Sequence, residues 1–411
     1  MTSLAPESAH VYLDHAATTP LSPAAAAAYA EQMMCVGNAS SLHGPGRAAR
    51  RVVEESREQV AEALGARPSE VIFTAGGTES DNLAIKGLFW ARRTGHAERM
   101  RVLVSAIEHH AVLDPAFWLA EHAGAEVVQL PVDASGVLDL EALRAELDHD
   151  GEHTSLLSLM WANNEIGSVQ PVREAAQLAR SRGVPVHTDA VQAIGQVPVD
   201  FAASGVDALT VSGHKIGGPL GVGALLAGRG LELMPVLHGG GQERAVRSGT
   251  LDVPAVRAFA VALAESVAGR EREAVRLAAL RDELVHGILA AVPGASLRGA
   301  GLTSEAAGGG PGRLPGNAHL TFAGCEGDSL LYLLDSAGVA VSTGSACQAG
   351  VPQPSHVLLA LGLDEADARG ALRFSLGAST TAADVARVLE VLPGVVDRAR
   401  AAGLASSMGG R

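Results

Sequence analysis

The stretch that decides the fold is residues 184–219, VPVHTDAVQAIGQVPVDFAASGVDALTVSGHKIGGP. Two apolar runs in it, Val184–Thr188 and Ala208–Ser212, are typical of short buried strands. Asp189 follows the first run, and Lys215 comes shortly after the second. Ligands bind at the carboxyl ends of the strands in open α/β sheets. Both polar residues are therefore candidates for a functional site.

The alternation of strands and helices continues on both sides of this stretch. Further strands are predicted at Val71–Phe73, Arg101–Ala106, Glu126–Pro131, Ser155–Met160 and Gly221–Leu226, and helices at Arg51–Leu64, Glu79–Arg93, Ala111–His122 and Val172–Arg182. The connections are long enough to cross over, which predicts a mainly parallel α/β sheet covered on both faces. The pattern changes after Asp252, and we place the domain change within a long helix, Pro254–Val292.

Length and composition restrict the class of protein. The 411 residues suggest two or three domains, and 47% apolar with 18% charged residues exclude a disordered chain. A net charge of −14 argues against direct nucleic-acid binding. Three cysteines form neither a disulfide framework nor a zinc pattern, which favours a reducing cytoplasm and no metal. Residues 1–10 do not resemble a signal peptide.

The longest uncharged stretch, Ser336–Leu363, is broken by Gly, Pro, Ser and Gln. It lacks the roughly 20 mostly apolar residues of a membrane helix. We therefore predict no membrane segment, and a loop between structured pieces at this place.

Lysine is almost absent from the chain. Only Lys86 and Lys215 are lysines among 31 basic residues. Arginine cannot replace lysine where a neutral primary amine is needed, as in Schiff-base chemistry, because guanidinium does not deprotonate in proteins. Lys215, beside a predicted buried strand, is the candidate amine, and a lysine that merely reaches solvent is an equally weighted alternative at this point.

Other residues could serve the same chemistry. Asp189 could hold a pyridinium nitrogen protonated, or simply cap the next helix. Thr74–Ser80, with Gly77 and Thr78, could cradle a phosphate at a helix start, or form an ordinary turn with a capping box. His109 could stack on a flat cofactor, although an unremarkable histidine is the more common case.

Three further positions complete the set. Asn164 follows a predicted strand and could orient a ligand, or lie in a turn. Cys347 lies among small residues and glycines, which predicts an exposed, mobile loop suited to a reactive thiol. Arg373 could anchor a carboxylate or form a plain ion pair. Together these groups are the parts of a pyridoxal phosphate enzyme that acts on an amino acid and carries an additional sulfur nucleophile.

A family resemblance adds to this interpretation. The chain resembles the cysteine desulfurases of the Nif/Isc type, a branch of the class V aminotransferase family with fold type I. The motifs run in the family's order along nearly the whole chain: Tyr12–Pro20, Gly37–His43, Gly77–Asn82, Glu108-His109, Asn163–Gly167, Asp189–Gln192, Ser212–Lys215, Arg247–Thr250, Gly344–Cys347 and Leu372–Gly377. Ala245 departs from the family, because it replaces a common glycine.

The resemblance implies roles for the cofactor site, with pyridoxal 5′-phosphate as the cofactor. Lys215 forms the Schiff base, Asp189 pairs with the ring nitrogen, and Gln192 contacts the ring hydroxyl. His109 stacks on the ring and shuttles protons, and the phosphate is held by Gly77, Thr78, Ser212 and His214. Thr250 is expected to reach the phosphate of the partner subunit, which implies a homodimer.

The resemblance also implies the substrate site and the fold. Asn164, Arg373 and Asn38 are expected to hold the substrate carboxylate, with Asn164 also beside the cofactor, and Cys347 is expected to become the persulfide. The expected fold is a large domain with a mainly parallel seven-stranded sheet and a smaller C-terminal α+β domain. We expect residues 1–20 to join the small domain, 21–262 to form the large domain, and 263–411 to form the small domain.

The predicted reaction converts L-cysteine to L-alanine and leaves a persulfide on Cys347. The sulfur would pass to an acceptor protein for iron–sulfur cluster assembly or tRNA thiolation. Selenocysteine lysis and amino transfer on the same fold remain alternatives, as does a catalytically silent scaffold that binds sulfur-carrier proteins.

Overall fold

The two apolar runs of residues 184–219 form neighbouring strands in the middle of one sheet. The computed structural model describes residues 10–307, 309–344 and 354–409, with side chains as far as residue 402. The chain folds as strands β1 Val11–Tyr12, β2 Val71–Thr74, β3 Arg101–Ser105, β4 Glu126–Leu130, β5 Thr154–Ser158, β6 Val186–Asp189, β7 Ala208–Ser212, β8 Gly223–Ala227, β9 Ala295–Arg298, β10 Asn317–Phe322, β11 Val339–Ala340 and β12 Ala371–Ser375.

The main sheet has seven strands in the order β2-β8-β7-β6-β5-β3-β4. Strand β8 is antiparallel to both of its neighbours, whereas the pairs from β7 to β4 are parallel. Every residue of β3, β5, β6 and β7 is buried, as expected for strands covered on both faces. The mainly parallel sheet predicted from the sequence is therefore confirmed.

Helices follow the strands and cover the sheet. Their bounds are α1 Pro23–Met33, α2 Gly44–Ala63, α3 Gly77–Arg92, α4 His110–Ala123, α5 Leu140–Asp150, α6 Val172–Arg180, α7 Phe201–Ser204, α8 Val253–Ala291, α9 Gly327–Ser336, α10 His356–Ala360, α11 Glu365–Arg369 and α12 Ala382–Gly409. Short 3-10 turns lie at Pro68–Glu70 and Gly213–Lys215. No helix in the described ranges is long and apolar enough to cross a membrane.

A second, smaller unit forms around the antiparallel sheet β12-β10-β9. Its apolar core also takes in Leu13, close to the start of the described chain, because β1 pairs in parallel with β11. Helix α8 spans both units: Phe259 lies in the core of the large sheet, and Leu284 lies in the second core. The domain limits at residues 20 and 262 stay a prediction.

Two local features differ from simple expectation. The predicted loop at Ser336–Leu363 is wrong in part, because β11 and α10 lie within it. These elements are too short to produce a recognisable apolar period. Ala245 has a positive φ of 56°, a conformation that glycine adopts at lower cost.

Phe73 offers a test of the core of the large sheet. It is fully buried in β2, its ring packs edge-on against Phe259 at 6.5 Å, and the Arg57 guanidinium lies 4.8 Å from its centre. Replacing Phe73 with Ala is expected to lower the free energy of unfolding by about 3–5 kcal/mol, because a cavity is left. Urea denaturation measures the loss. Phe117→Ala, at an exposed position, is the control, and equal losses in both variants would contradict this account.

Candidate active site

The carboxyl ends of the parallel strands border a cavity of about 390 Å³. It collects residues from distant parts of the sequence, and the predicted site residues in its wall are Gly77, Thr78, His109, Asn164, Asp189, Gln192, Ser212, His214, Lys215 and Arg373. Their chemical roles stay predictions, but the structure brings these side chains together in one place.

Three predicted residues are not in this wall. Asn38 and Thr250 are exposed, and the side-chain oxygen of Asn38 accepts a hydrogen bond from the Ser40 N–H at 2.8 Å. Cys347 lies outside the described residues. Of the other two cysteines, Cys35 is exposed and Cys325 is buried, and both are free thiols.

Lys215 ends the single 3-10 turn that follows β7. Its Nζ donates hydrogen bonds to the carbonyl oxygens of Ala16 at 2.5 Å and Ala17 at 2.7 Å. Burial, with the charge of Arg373, lowers the pKa of Lys215 to about 8, against the opposing charges of Asp14 and Asp189. A neutral amine is therefore accessible close to physiological pH. Lys215 is half-buried, and its amine is held by two main-chain carbonyls rather than extended into solvent, which favours the role of a site amine.

Asp189 is the last residue of β6 and is buried. One carboxylate oxygen accepts a hydrogen bond from the Val191 N–H at 2.8 Å, so the residue caps the following turn and also lines the cavity. Burial raises the pKa of Asp189 to about 6, against the lowering effects of that N–H and of Lys215. The two alternatives considered for Asp189, a residue that caps a turn and a carboxylate that faces a ligand, are therefore compatible.

His109 is the N-cap residue of α4. Its Nδ1 accepts a hydrogen bond from the Ala111 N–H at 3.1 Å, so in this geometry the ring proton belongs on Nε2. Burial lowers the pKa of His109 to about 4, with a further contribution from the charge of Lys215. The imidazole is thus neutral at pH 7, with a fixed tautomer in the cavity wall.

The start of α3 provides donors for an anion. Gly76 precedes it with a φ of 135°, and the first-turn amides of Gly77 and Thr78 have no acceptor within the helix. A Cβ at Gly77 would lie 3.2 Å from the Val191 side chain, so the backbone approaches closely here. Glu79 accepts a hydrogen bond from the Ala75 N–H at 2.7 Å, but the N-cap residue, Gly76, has no side chain to complete the ordinary capping box that was the alternative.

Arg373, from the middle of β12, forms the opposite side of the cavity. It pairs with Asp14 at 2.8 Å and donates to the main-chain carbonyl of Asn164 at 3.0 Å. Its Nε is buried and has no hydrogen-bond partner among the described residues. The guanidinium also lines the cavity, and a guanidinium is the group that proteins use most to bind carboxylates.

The segment Asp14–Thr19 is a part of the site to which the sequence assigned no role. Besides holding Lys215, the Ala16 carbonyl accepts a hydrogen bond from the Gln192 side chain at 2.9 Å. Thr18 contacts His214 through its hydroxyl group at 3.3 Å. The motif Tyr12–Pro20 was visible in the sequence, but its contacts join residues about 200 or 360 positions apart.

Comparison with known proteins settles the family. Residues 11–388 match the family model described as aminotransferase class V. The chain belongs to that family. It is also 56% identical over 397 residues to the IscS-like cysteine desulfurase of Mycobacterium tuberculosis, an alignment that covers 96% of this chain and 98% of the relative.

Solved structures agree with this assignment. A NifS-like protein superposes with a TM-score of 0.85 at 34% identity, over 95% of this chain and 100% of the other. A structure described as SspA in complex with cysteine gives a TM-score of 0.73 at 32% identity, over 89% and 98% of the two chains. The family, the fold type and the enzyme class predicted from the sequence, a cysteine desulfurase, are confirmed, and the alternatives of selenocysteine lysis and amino transfer are not favoured.

The lowered pKa of Lys215 can be measured directly, because the chain has only one other lysine, Lys86. An amine-reactive label scored by peptide mass spectrometry is expected to modify Lys215 with a midpoint near pH 8, below the ordinary lysine value of 10.5. Only the neutral amine reacts, so labelling rises with pH. Asp189→Asn should shift the midpoint to lower pH, because the carboxylate stabilises the ammonium.

The exposed Asp148 provides the control for this titration, since it pairs with Arg182 on the surface. Asp148→Asn should leave the Lys215 midpoint unchanged. A Lys215 midpoint at the ordinary lysine value, or one that ignores Asp189→Asn, would contradict the assigned electrostatics.

Proposed function

We propose that this protein converts L-cysteine to L-alanine and transfers the sulfur to Cys347 as a persulfide, with pyridoxal 5′-phosphate held in the cavity. The observation that carries the proposal is the half-buried Lys215 amine, which shares one cavity wall with Asp189 and with the guanidinium of Arg373. An amine for an aldehyde, a carboxylate for a ring nitrogen and a guanidinium for a substrate carboxylate are the groups this reaction needs.

The residues present fit the cofactor. Lys215 would form the covalent link, and Asp189 would accept the ring N–H. The phosphate would be held by neutral donors at the carboxyl ends of β2 and β7, which are Gly77, Thr78, Ser212 and His214. When bound, the cofactor supplies an electron sink for the α-carbon of the amino acid.

Binding of the substrate carboxylate would fall to Arg373. Two of its nitrogens are already oriented by Asp14 and by the Asn164 carbonyl, so the guanidinium is fixed before the substrate arrives. The face of the guanidinium that lines the cavity would bind the carboxylate of L-cysteine. The side chain of Asn164 also lines the cavity and would share this carboxylate. Asn38 is exposed and lies outside the cavity wall in this structure. To bind the substrate carboxylate, its side chain would have to move to the cavity.

Proton transfer would be divided between two residues. Lys215, once released from the cofactor, would take the α-proton as a neutral amine, which its pKa of about 8 makes accessible. His109 stays neutral and carries its proton on Nε2, so it would exchange protons with the substrate thiol. The two bases have different strengths, as the two proton transfers require.

Sulfur transfer would use the thiolate of Cys347. It attacks the substrate sulfur, an S–S bond forms, and the C–S bond of cysteine breaks. The electron pair of that bond stays with the carbon fragment, which gains a proton and leaves as alanine. One cysteine and one enzyme thiol thus give one alanine and one enzyme persulfide, with no external oxidant.

Partners and location are part of the same proposal. Exposed apolar side chains cluster after α1 at Met34, Val36 and Leu42, with exposures of 84–88%, and support a homodimer in which Thr250 reaches the partner's phosphate site. A sulfur-acceptor protein of iron–sulfur assembly or tRNA thiolation would receive the persulfide. The free thiols Cys35 and Cys325 support a reducing, cytoplasmic location.

Two lysines allow a sharp test of the cofactor. Borohydride reduction of the protein incubated with pyridoxal 5′-phosphate is expected to fix the cofactor on the Lys215 peptide. Lys215→Ala should abolish this product, and Lys86→Ala should retain it, since Lys86 lies outside the main cavity. Peptide mass spectrometry gives the answer. Cofactor fixed on Lys86, or retained in Lys215→Ala, would overturn the assignment.

The sulfur step has its own test. Cys347→Ser is expected to keep the cofactor absorbance while alanine and persulfide formation from L-cysteine fall about 100-fold or more, because the hydroxyl is a far weaker nucleophile. Cys35→Ser, at an exposed position, should behave as the wild type. Alanine and persulfide are measured by chromatography and mass spectrometry. Undiminished alanine release from Cys347→Ser would refute the role of this thiol.

A further inference from the structure

Glu165 is a buried carboxylate that the reaction described above does not use. It lies between β5 and α6, with an exposure of only 3%. Its backbone is held on both sides: its N–H donates to the Asn163 side chain at 2.9 Å, and its carbonyl accepts from the Asn317 side chain at 2.9 Å. A charge this deep is costly unless it is hydrogen-bonded, so the question is what the carboxylate holds.

The carboxylate holds the residue that begins α10. Ser355 donates its hydroxyl proton to Glu165 Oε2 at 2.5 Å and is itself buried. The same hydroxyl oxygen accepts from the Leu358 N–H at 3.3 Å, which makes Ser355 the N-cap of the helix. A hydrogen bond to a carboxylate is among the strongest that a neutral hydroxyl makes. Glu165 therefore fixes the start of α10.

The same carboxylate also lies against Gly344. A Cβ built on Gly344 would be 3.2 Å from Glu165 Oε2 and 3.0 Å from the His319 ring, and the residue has a φ of 87°. A side chain at position 344 would therefore crowd the carboxylate. Glu165 Oε2 is thus close to Gly344 and hydrogen-bonded to Ser355.

These two residues bracket the part of the chain that carries Cys347. Residues 345–353 lie between them and are outside the described ranges. We propose that Glu165 is a positioning residue for sulfur transfer, because its buried carboxylate holds Ser355, close to the point where the Cys347 segment rejoins the described chain. The inference rests on the proposed role of Cys347, and it assigns to Glu165 no contact with the substrate.

A second contact links this anchor to the active site. The Nε2–H of His356, next to Ser355, donates a hydrogen bond to the Glu108 carbonyl oxygen at 3.0 Å. The proton belongs on Nε2 because a carbonyl oxygen can only accept. Its ring also packs edge-on against His110 at 5.2 Å. Glu108 and His110 flank His109, so the start of α10 is held beside the residue proposed to exchange protons with the substrate thiol.

The test separates positioning from chemistry. In Glu165→Gln holoenzyme, the rapid absorbance change on mixing with L-cysteine should be as in the wild type, while the persulfide on Cys347 appears about tenfold more slowly, because the thiol is less well placed. Rapid quenching and peptide mass spectrometry measure the persulfide. Hydrogen exchange should accelerate in residues 354–361 and nowhere else.

Ser355 supplies matched variants for the same contact. Ser355→Ala should reproduce the slow persulfide step, and Ser355→Thr, which retains the hydroxyl, should restore it. The double variant Glu165→Gln/Ser355→Ala should be no slower than either single variant, because both remove the same hydrogen bond. If Glu165→Gln does not fold, the two Ser355 variants carry the test.

Three results would overturn the inference. They are a wild-type rate of persulfide formation in Glu165→Gln, an equal slowing of the absorbance change and of the persulfide, and additive effects in the double variant. Absence of persulfide in the wild type would instead contradict the proposed function. The exchange of residues 354–361 would still decide whether Glu165 anchors α10.

Discussion

A single buried amine sets the constraint that the rest of the site must satisfy. An ammonium group is expensive to remove from water, and Lys215 offsets this cost with two main-chain carbonyls and two neighbouring carboxylates. The compensation is incomplete, because burial and Arg373 still lower its pKa to about 8. The side chain of Lys215 is therefore held in one position by its hydrogen bonds, and its ammonium group still loses a proton more readily than an ordinary lysine.

The carbonyls come from the segment Asp14–Thr19, which joins the two units of the protein. Its Ala16 N–H donates to the Ser375 hydroxyl, in the second unit, while its Ala16 carbonyl faces Lys215 and Gln192, in the first. The Tyr12 hydroxyl braces the same segment by contacting the carbonyls of Asp14 and Thr18 at 3.1 and 2.8 Å. The position of the Lys215 amine therefore depends on how the smaller unit packs against the large sheet.

Local sequence pattern was sufficient for the large sheet and the residues at its edge. The ends of β6 and β7 could be predicted to within one residue from their apolar runs, so Asp189 and Ser212 could be placed at the carboxyl edge without a structure, whereas β5 ends two residues before the predicted Met160. Contacts made across long separations could not be derived in this way. Arg373 and Asp14 meet across 359 positions, and no local period signals that pair. The family resemblance suggested the role of Arg373, but not the partner that orients it.

The partners of side-chain hydrogen bonds could not be predicted from the sequence either. Gln192 was expected to contact a ring hydroxyl, and in the structure its amide nitrogen donates to the Ala16 carbonyl, at the edge of the same cavity. Glu165 lies within Asn163–Gly167, one of the motifs on which the family resemblance rests. Nothing in the sequence indicated that its carboxylate contacts Ser355. A motif locates a turn, whereas the partner of a buried side chain depends on which distant element packs there.

The charges around the cavity follow from the same burial. Burial and the charge of Lys215 together lower the pKa values of His109 and His214 to about 4, so both imidazoles are neutral at pH 7. The full positive charges in the wall are then those of Lys215 and Arg373, and each faces a carboxylate. Had the histidines been protonated, they would have repelled the ammonium and pushed its pKa still lower, while also weakening their own use as bases. Neutral N–H and O–H donors can hold an anionic ligand without that effect. The cavity wall therefore combines neutral hydrogen-bond donors with one guanidinium and one amine.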